Sequence, residues 1–279
     1  MNSPSRSLEP ATLATLEREL AVAGARLVAG GKSVDAPIGD VTQDSRRAGA
    51  GALFVARRGG KVDGASFAAE VLSRGAAGVL CEPGATGEVP RLEVTDLPLA
   101  FALAAHRVHG RPSESLAVVG VTGTNGKTTT ACLLEHALAA LGARPARLGT
   151  LGFSINGEVR GGTLTTPQVD DVARFMAEAR DSGSTHFVME VSSHALDQRR
   201  VLGVRFAVAA FTNLTQDHLD YHASMDAYGA AKRRLFTELA PAHSVINVDD
   251  AYGADIAREV TSALSVGREA EDAKLRVLS

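Results

Sequence analysis

The chain has 279 residues, 45% hydrophobic and 22% charged, with Lys plus Arg at 29 against Asp plus Glu at 32. Such a composition belongs to a globular protein of about two domains, and its net charge of -3 excludes a general electrostatic affinity for nucleic acid or an anionic membrane. Two cysteines, Cys81 and Cys132, exclude a disulfide framework and a multi-cysteine metal site, while the absence of Trp argues against a stacking surface. No apolar run reaches the roughly 18 residues of a membrane span, and charges stand where a signal peptide needs an apolar core, so a cytosolic chain is expected.

In chain order, Leu13, Leu16 and Leu20 recur at helical spacing and predict a first amphipathic helix. Residues 52–56 (ALFVA) read as a strand, 67–72 as a helix ending at Gly75, and 77–81 as a second strand. Another helix is predicted over 97–108. It stops at His109-Gly110-Arg111-Pro112-Ser113, where closely spaced Gly and Pro mark a hinge between domains at 1–112 and 113–279. Beyond it, continuous apolar runs at 116–121, 186–191, 205–211 and 244–248 alternate with helical patterns. That alternation predicts an α/β domain whose mostly parallel sheet has helices on both faces. No repeat or low-complexity tract is present, and residues 267–279 carry no terminating motif.

The sharpest chemical feature is VVGVTGTNGKTTT at 118–130: an apolar strand, a glycine-containing turn, then Lys127-Thr128 opening a helix that runs to about Leu141. Backbone N–H groups at such a turn face phosphate oxygens, and glycine removes the Cβ that would obstruct them. Gly123, Thr124, Asn125, Gly126, Lys127, Thr128 and Thr129 are therefore the expected phosphate-binding residues. Lys127 reaches the β- and γ-phosphates and the Thr128 hydroxyl is suited to Mg²⁺. The strict phosphate-loop pattern wants Gly where Val121 stands, so the loop is a variant.

Four further groups read two ways on their own. Glu190 ends an apolar strand, and is either a strand-end ion-pair partner or an oxygen ligand for Mg²⁺ beside the phosphate loop. His218, in a loop rich in His and Asp, is either solvated or a second metal ligand. Lys232-Arg233-Arg234 is either a solvated helix face or the place of a desolvated lysine. Gln198-Arg199-Arg200 is likewise either a surface basic patch or a fork of donors for a carboxylate.

Taken together, these segments resemble the Mur ligases. TGTNGKTT at 122–129 is similar to their ATP loop. MEVSSHALDQRRV at 189–201, FTNL at 211–214, DHLDYH at 217–222, Ala230-Ala231-Lys232 and Leu235-Phe236 resemble the central segment of the branch that adds the third peptide residue. In the first domain, Asp44-Ser45-Arg46, LFVA at 53–56 and Asp63-Gly64 resemble that branch's uridine-binding domain, with a weaker match over 59–64. The resemblance covers nearly the whole chain.

It implies a small α/β uridine-binding domain followed by an ATP-binding domain. The implied reaction is ATP-dependent C–N ligation in peptidoglycan precursor synthesis, joining meso-diaminopimelate or L-lysine to UDP-N-acetylmuramoyl-L-alanyl-D-glutamate through an acyl phosphate. It further implies that Lys127, Lys232 and His218 are catalytic, and that Thr128, Glu190, His218 and a CO2-derived carbamate on Lys232 hold Mg²⁺. Asp44, Ser45, Thr165, Thr166, Ser192, Gln198 and Arg200 are the implied contacts to the UDP-muramoyl-peptide. No role follows for Asn247, Asp249 and Asp250. Family members have a third, amino-acid-binding domain, and the resemblance implies that this chain ends at Ser279 within the central one. A monomer without nucleic-acid or membrane partners is expected. Two rivals remain, a folylpolyglutamate-type ligase with a similar loop and a non-catalytic module that binds without turnover.

Overall fold

In the computed structural model, which describes residues 9–31, 33–58, 63–84, 87–162, 164–271 and 273–277, the chain divides into two units, Met1–Arg111 and Pro112–Ser279. Pro112 thus belongs with the second unit, one residue before the sequence boundary, and there the Ser113 hydroxyl accepts the Arg205 N–H at 3.1 Å. Of the loop 59–64, positions 59–62 lie outside the described residues.

The first unit holds α1 (Leu13–Glu19), β1 (Arg26–Val28), β2 (Asp40–Thr42), β3 (Ala52–Ala56), α2 (Ala68–Ser73), β4 (Gly78–Cys81), β5 (Arg91–Glu93) and α3 (Leu97–Val108). Thr12 caps α1 through a reciprocal pair with Thr15, and Leu13, Leu16 and Leu20 are buried as their spacing requires. Asp96 caps α3, accepting from Leu99 N at 3.1 Å, and proline occupies the first turn where its missing N–H costs nothing. The sheet order is β1-β5-β4-β3-β2. Only β1 runs antiparallel to its neighbour. β3 is buried at every position, which explains its unbroken apolar run.

The second unit is a nine-stranded sheet in the order β14-β13-β12-β11-β6-β10-β7-β8-β9. Its strands are β6 (Ala117–Thr122), β7 (Pro145–Gly149), β8 (Gly152–Ile155), β9 (Glu158–Arg160), β10 (His186–Glu190), β11 (Val208–Phe211), β12 (His243–Asn247), β13 (Leu264–Gly267) and β14 (Leu275–Arg276). The helices are α4 (Lys127–Ala140), α5 (Val169–Asp181), α6 (Ser193–Asp197), α7 (Leu219–His222), α8 (Met225–Thr237) and α9 (Ala251–Glu259). Pairing is parallel from β14 through β7, and an antiparallel extension, β7-β8-β9, adds strands that the apolar runs did not announce. α5 buries Val169, Val172, Ala173 and Met176 on one face, packing against a core that includes Phe153, Phe187 and Met189.

Strand order decides where a ligand can sit. β6, first in the unit, is central. The chain next lays down β7 on one side, later inserts β10 between β6 and β7, and builds outward from β11 on the other side. Loops leaving the carboxyl ends of β6, β10 and β11 therefore diverge and open a crevice at that point. Among the described residues no helix is long and apolar enough to cross a membrane.

Candidate active site

The crevice is an open cleft of about 350 Å³. Residues 124–129 form one wall, facing Thr150, Thr165, Glu190, Ser192, His218 and Lys232.

The first wall is the turn from β6 into α4. Gly123 has φ +151° and Gly126 has φ +85°, conformations that L side chains avoid, and a Cβ on Gly123 would collide with the Thr212 hydroxyl. Gly126 is also the N-cap of α4 and supplies no side-chain cap. The first-turn N–H groups thus stay available to a ligand with acceptor oxygens, and the helix dipole favours an anion there. Segment 212–215 clamps the turn from behind. Asn213 accepts Thr124 N–H at 2.8 Å through its carbonyl and Asn125 N–H at 3.0 Å through Oδ1, and the Thr212 hydroxyl donates to Asn125 O at 2.6 Å.

Two lysines converge on one carbonyl. Lys127 Nζ donates to Gly123 O at 2.7 Å and Thr124 O at 2.8 Å, and Lys232 Nζ donates to the same Gly123 O at 2.8 Å. Lys232 is only 1% exposed. Its ammonium lies 4.4 Å from the centre of the Tyr228 ring, one helical turn earlier on α8. Burial, and next the charge of Lys127, push the Lys232 amine down to about 7, with Asp217 opposing. Burial also lowers Lys127, against the attraction of Glu190 and Asp217. Tyr228 itself is fully buried and its hydroxyl lies 3.1 Å from Thr124 Oγ1, so α8 holds the phosphate loop at two points.

Opposite the lysines, Glu190 ends β10 with no solvent exposure. Its carboxylate accepts from Thr128 Oγ1 at 2.9 Å, Thr150 N at 2.8 Å and Thr150 Oγ1 at 3.1 Å. These neutral donors make a buried carboxylate tolerable. Gly149 leaves it room, since a Cβ there would strike the Glu190 carboxyl group. Thr150 went unrecognised in the sequence because β7 carries Pro145 and Arg147 and lacks a clear apolar run. The only available signal was a Gly-Thr pair at a strand end.

Next to Glu190 lies the other implied set. Thr166 Oγ1 donates to Glu190 O at 2.9 Å and accepts Ser192 N–H at 3.0 Å, and the Thr165 and Thr150 hydroxyls are 3.1 Å apart. Arg200 Nη1 donates to Thr166 O at 2.9 Å, while its Nε and Nη2 donate to Gln198 Oε1 at 2.9 and 2.6 Å. Thr165, Thr166, Ser192, Gln198 and Arg200 thus form one connected network. His218 has φ +53° and is the N-cap of α7, with Nε2 at 3.5 Å from Asp217 Oδ2 and its ring 4.9 Å from that of His194.

Asp44 and Ser45 belong to the first unit, just beyond β2. The Asp44 carboxylate accepts from Arg46 N at 3.0 Å, Nε at 2.9 Å and Nη2 at 2.7 Å, and this pairing holds it below the usual carboxylate range. Ser45 O accepts from Arg74.

The unassigned block after β12 turns out to brace the site. Asn247 Nδ2 donates to Thr212 O at 2.8 Å, and Asp250 accepts Leu214 N–H at 2.8 Å while capping α9 through Gly253 N–H at 3.0 Å. Asp249 accepts the N–H groups of Arg268, Glu269 and Ala270 at 2.7, 2.9 and 2.8 Å.

Among the described residues no group of three or more His, Cys, Asp or Glu is arranged to hold a metal. Mg²⁺ does not require one, because it takes one or two protein oxygens and completes its shell with phosphates and water. The Glu190 carboxylate and Thr128 hydroxyl, 2.9 Å apart beside the loop, fit that pattern.

Residues 121–278 match the model of the Mur ligase middle domain, and residues 37–109 match that of the Mur ligase family catalytic domain. A UDP-N-acetylmuramoyl-L-alanyl-D-glutamate–2,6-diaminopimelate ligase of Chromobacterium violaceum is 44% identical over 85% of this chain and 50% of its own length. Its counterpart in Pseudomonas putida is 43% identical over 84% of the chain and 48% of its own length. A solved structure of a ligase with the same name superposes with a TM-score of 0.80 at 25% identity, over 95% of this chain and 54% of that one. The chain spans about half the length of the curated relatives it matches.

Proposed function

The chain belongs to the Mur ligase family, and from that premise we propose that it binds ATP and UDP-N-acetylmuramoyl-L-alanyl-D-glutamate in peptidoglycan precursor synthesis. The reaction served is attachment of the third peptide residue. Diaminopimelate is that residue in this reading, because the relatives' names specify it. In this reading the chain works in the cytosol as a monomer.

One observation supports the reading: the α4 turn, which has no side-chain cap, and the hydrogen-bonded network of Thr166, Gln198 and Arg200 both lie beside Glu190 at the end of β10. The substrate's terminal carboxylate and the γ-phosphate of ATP are both anions, so their approach needs compensating positive charge. Lys127 is placed to provide it once phosphate oxygens replace its present loop carbonyl partners. The α4 N–H groups orient the phosphate chain, and Arg200 with Gln198 orients the peptide end. Mg²⁺ would be held by Glu190 and Thr128, with His218 and Lys232 as second-ion candidates, and would supply neutralisation of the developing phosphate charge. The carboxylate oxygen displaces ADP from the γ-phosphorus to give an acyl phosphate. The amine of the incoming residue then displaces phosphate and forms the amide.

A carbamate on Lys232 belongs to the same proposal. Only a neutral amine adds to CO2, and an amine titrating at about 7 is substantially neutral at physiological pH. Addition of the neutral amine forms one N–C bond, opens one C–O π bond of CO2 and releases one proton; counted from the ammonium two protons leave, and a cation becomes an anion with oxygens that can ligate a metal. Asp44 and Ser45 are proposed to take the uridine end.

Calorimetric titration of the 279-residue chain with UDP-N-acetylmuramoyl-L-alanyl-D-glutamate, with and without Mg²⁺-ATP, tests the reading. One-to-one binding, weakened at least ten-fold in Arg200→Ala, is the expected result. Absence of binding by a chain folded by circular dichroism would refute the substrate assignment.

A further inference from the structure

The network around Arg200 ends in a residue that the proposed reading leaves unused. Tyr221 lies on α7, its ring 4.1 Å from that of His194. Its hydroxyl donates to Asp197 Oδ2 at 2.9 Å and accepts from Gln198 Nε2 at 3.1 Å. Gln198 Oε1 in turn accepts both Nε and Nη2 of Arg200, whose Nη1 reaches Thr166 O.

These bonds have a forced direction. An ionised carboxylate only accepts, so the single phenolic proton of Tyr221 goes to Asp197. The phenolic oxygen is then left with lone pairs alone and can bond only the donor end of the Gln198 amide. With Nε2 committed to Tyr221, Oε1 must face Arg200, which has donors and no acceptor. An amide in the opposite orientation would turn its N–H groups toward the guanidinium and lose both ends of the chain at once. The polarity of Gln198 is thereby set from Asp197, through Tyr221.

We propose that Tyr221 is a positioning residue for the Gln198–Arg200 network: by donating to Asp197 and accepting from Gln198 it fixes the Gln198 amide and, through it, the Arg200 guanidinium. The inference rests on the reading above, in which Gln198 and Arg200 hold the peptide part of the UDP-linked substrate. A carboxylate is matched by an arginine fork only when the plane of the fork is held, and here two of its nitrogens share one side-chain oxygen. Tyr221 is 39% exposed, so its hydroxyl can be removed without opening the core.

The test is calorimetric titration with UDP-N-acetylmuramoyl-L-alanyl-D-glutamate and, separately, with Mg²⁺-ADP, for the full 279-residue chain and four variants: Tyr221→Phe, Gln198→Ala, Arg200→Ala and the double variant Tyr221→Phe/Gln198→Ala. Tyr221→Phe is expected to weaken the UDP-linked ligand about five-fold while leaving Mg²⁺-ADP affinity and thermal midpoint unchanged. In the Gln198→Ala background the same change is expected to have no further effect, because the hydroxyl acts through that amide. A merely structural tyrosine would instead lower the thermal midpoint and affect both ligands in both backgrounds. If Arg200→Ala binds normally, the substrate reading itself fails. If Arg200→Ala loses affinity and Tyr221→Phe does not, or if the effect persists without Gln198, the positioning role is overturned.

Discussion

The two lysines at the phosphate loop contrast sharply with the Asp44–Arg46 pair of the first unit. Lys232 is buried and shares the Gly123 carbonyl with Lys127, and its amine is displaced to about 7. Asp44 and Arg46 instead form an ion pair of opposite charges, at 2.7 Å, and the Arg46 side chain is 87% exposed. Water screens the second pair and leaves its members ionised, whereas in the cleft little solvent remains to stabilise the ammonium. The difference separates an exposed ion pair, whose charges water screens, from a buried amine, whose protonation is shifted by its surroundings.

Three measurements would break or sharpen that contrast. The largest effect is expected from Gly149→Ala, which drives a methyl group into the buried Glu190 carboxyl. Overpacking of this kind costs about 1–3 kcal/mol. Displacing the carboxylate from Thr128 and Thr150 should also abolish the Mg²⁺ dependence of nucleotide binding. Chemical denaturation and calorimetry with ADP, with and without Mg²⁺, would show both. Normal Mg²⁺ dependence in a destabilised variant would detach Glu190 from the metal.

A smaller effect concerns pH. The Lys232 amine lies near 7 when folded against 10.5 as its ordinary value, so the unfolded chain binds the extra proton between those limits. Stability should therefore rise with pH across that window, and the penalty is complete below about 7. Lys232→Met keeps the volume and removes the titration. Its thermal midpoint should exceed that of the parent at pH 7, and the gap should close toward pH 10. A gap independent of pH would show that Lys232 titrates normally.

The smallest effect belongs to the exposed pair. Arg46→Ala should leave the urea-denaturation midpoint essentially where it is in the parent, because an exposed ion pair adds little to stability. A clear downward shift of that midpoint would mean that the loop after β2 is held more rigidly than its exposure indicates.

Much of the fold could be read from the chain because local patterns carry it. The Leu13, Leu16 and Leu20 spacing, the apolar run at 52–56 and the punctuation around Pro112 all correspond to observed features. Less could be read where strands are short or polar. β1, β2, β5 and β9 have three residues each, too few for a period to register, and β7 contains a proline and a buried arginine paired with Glu135.

The site divides along the same line. The glycines at 123 and 126 and the following Lys-Thr announce the strand-to-helix turn by residue type, because the backbone conformation and the helix start are local properties. Glu190, His218 and Lys232 each admitted a plain structural alternative, because burial and partners depend on strands far apart in the chain.

Sequence alone thus determined the glycine turn that opens α4 and the alternation of strand and helix, since each arises within a dozen neighbouring residues. Tertiary structure alone decided that Lys232 shares a carbonyl with Lys127, that Thr150 steadies Glu190, and that Tyr221 reaches Gln198. The physical reason is the strand order: β6 lies between β10 and β11, so residues about 60 to 110 positions apart meet at one crevice, and solvent exclusion there sets their chemistry.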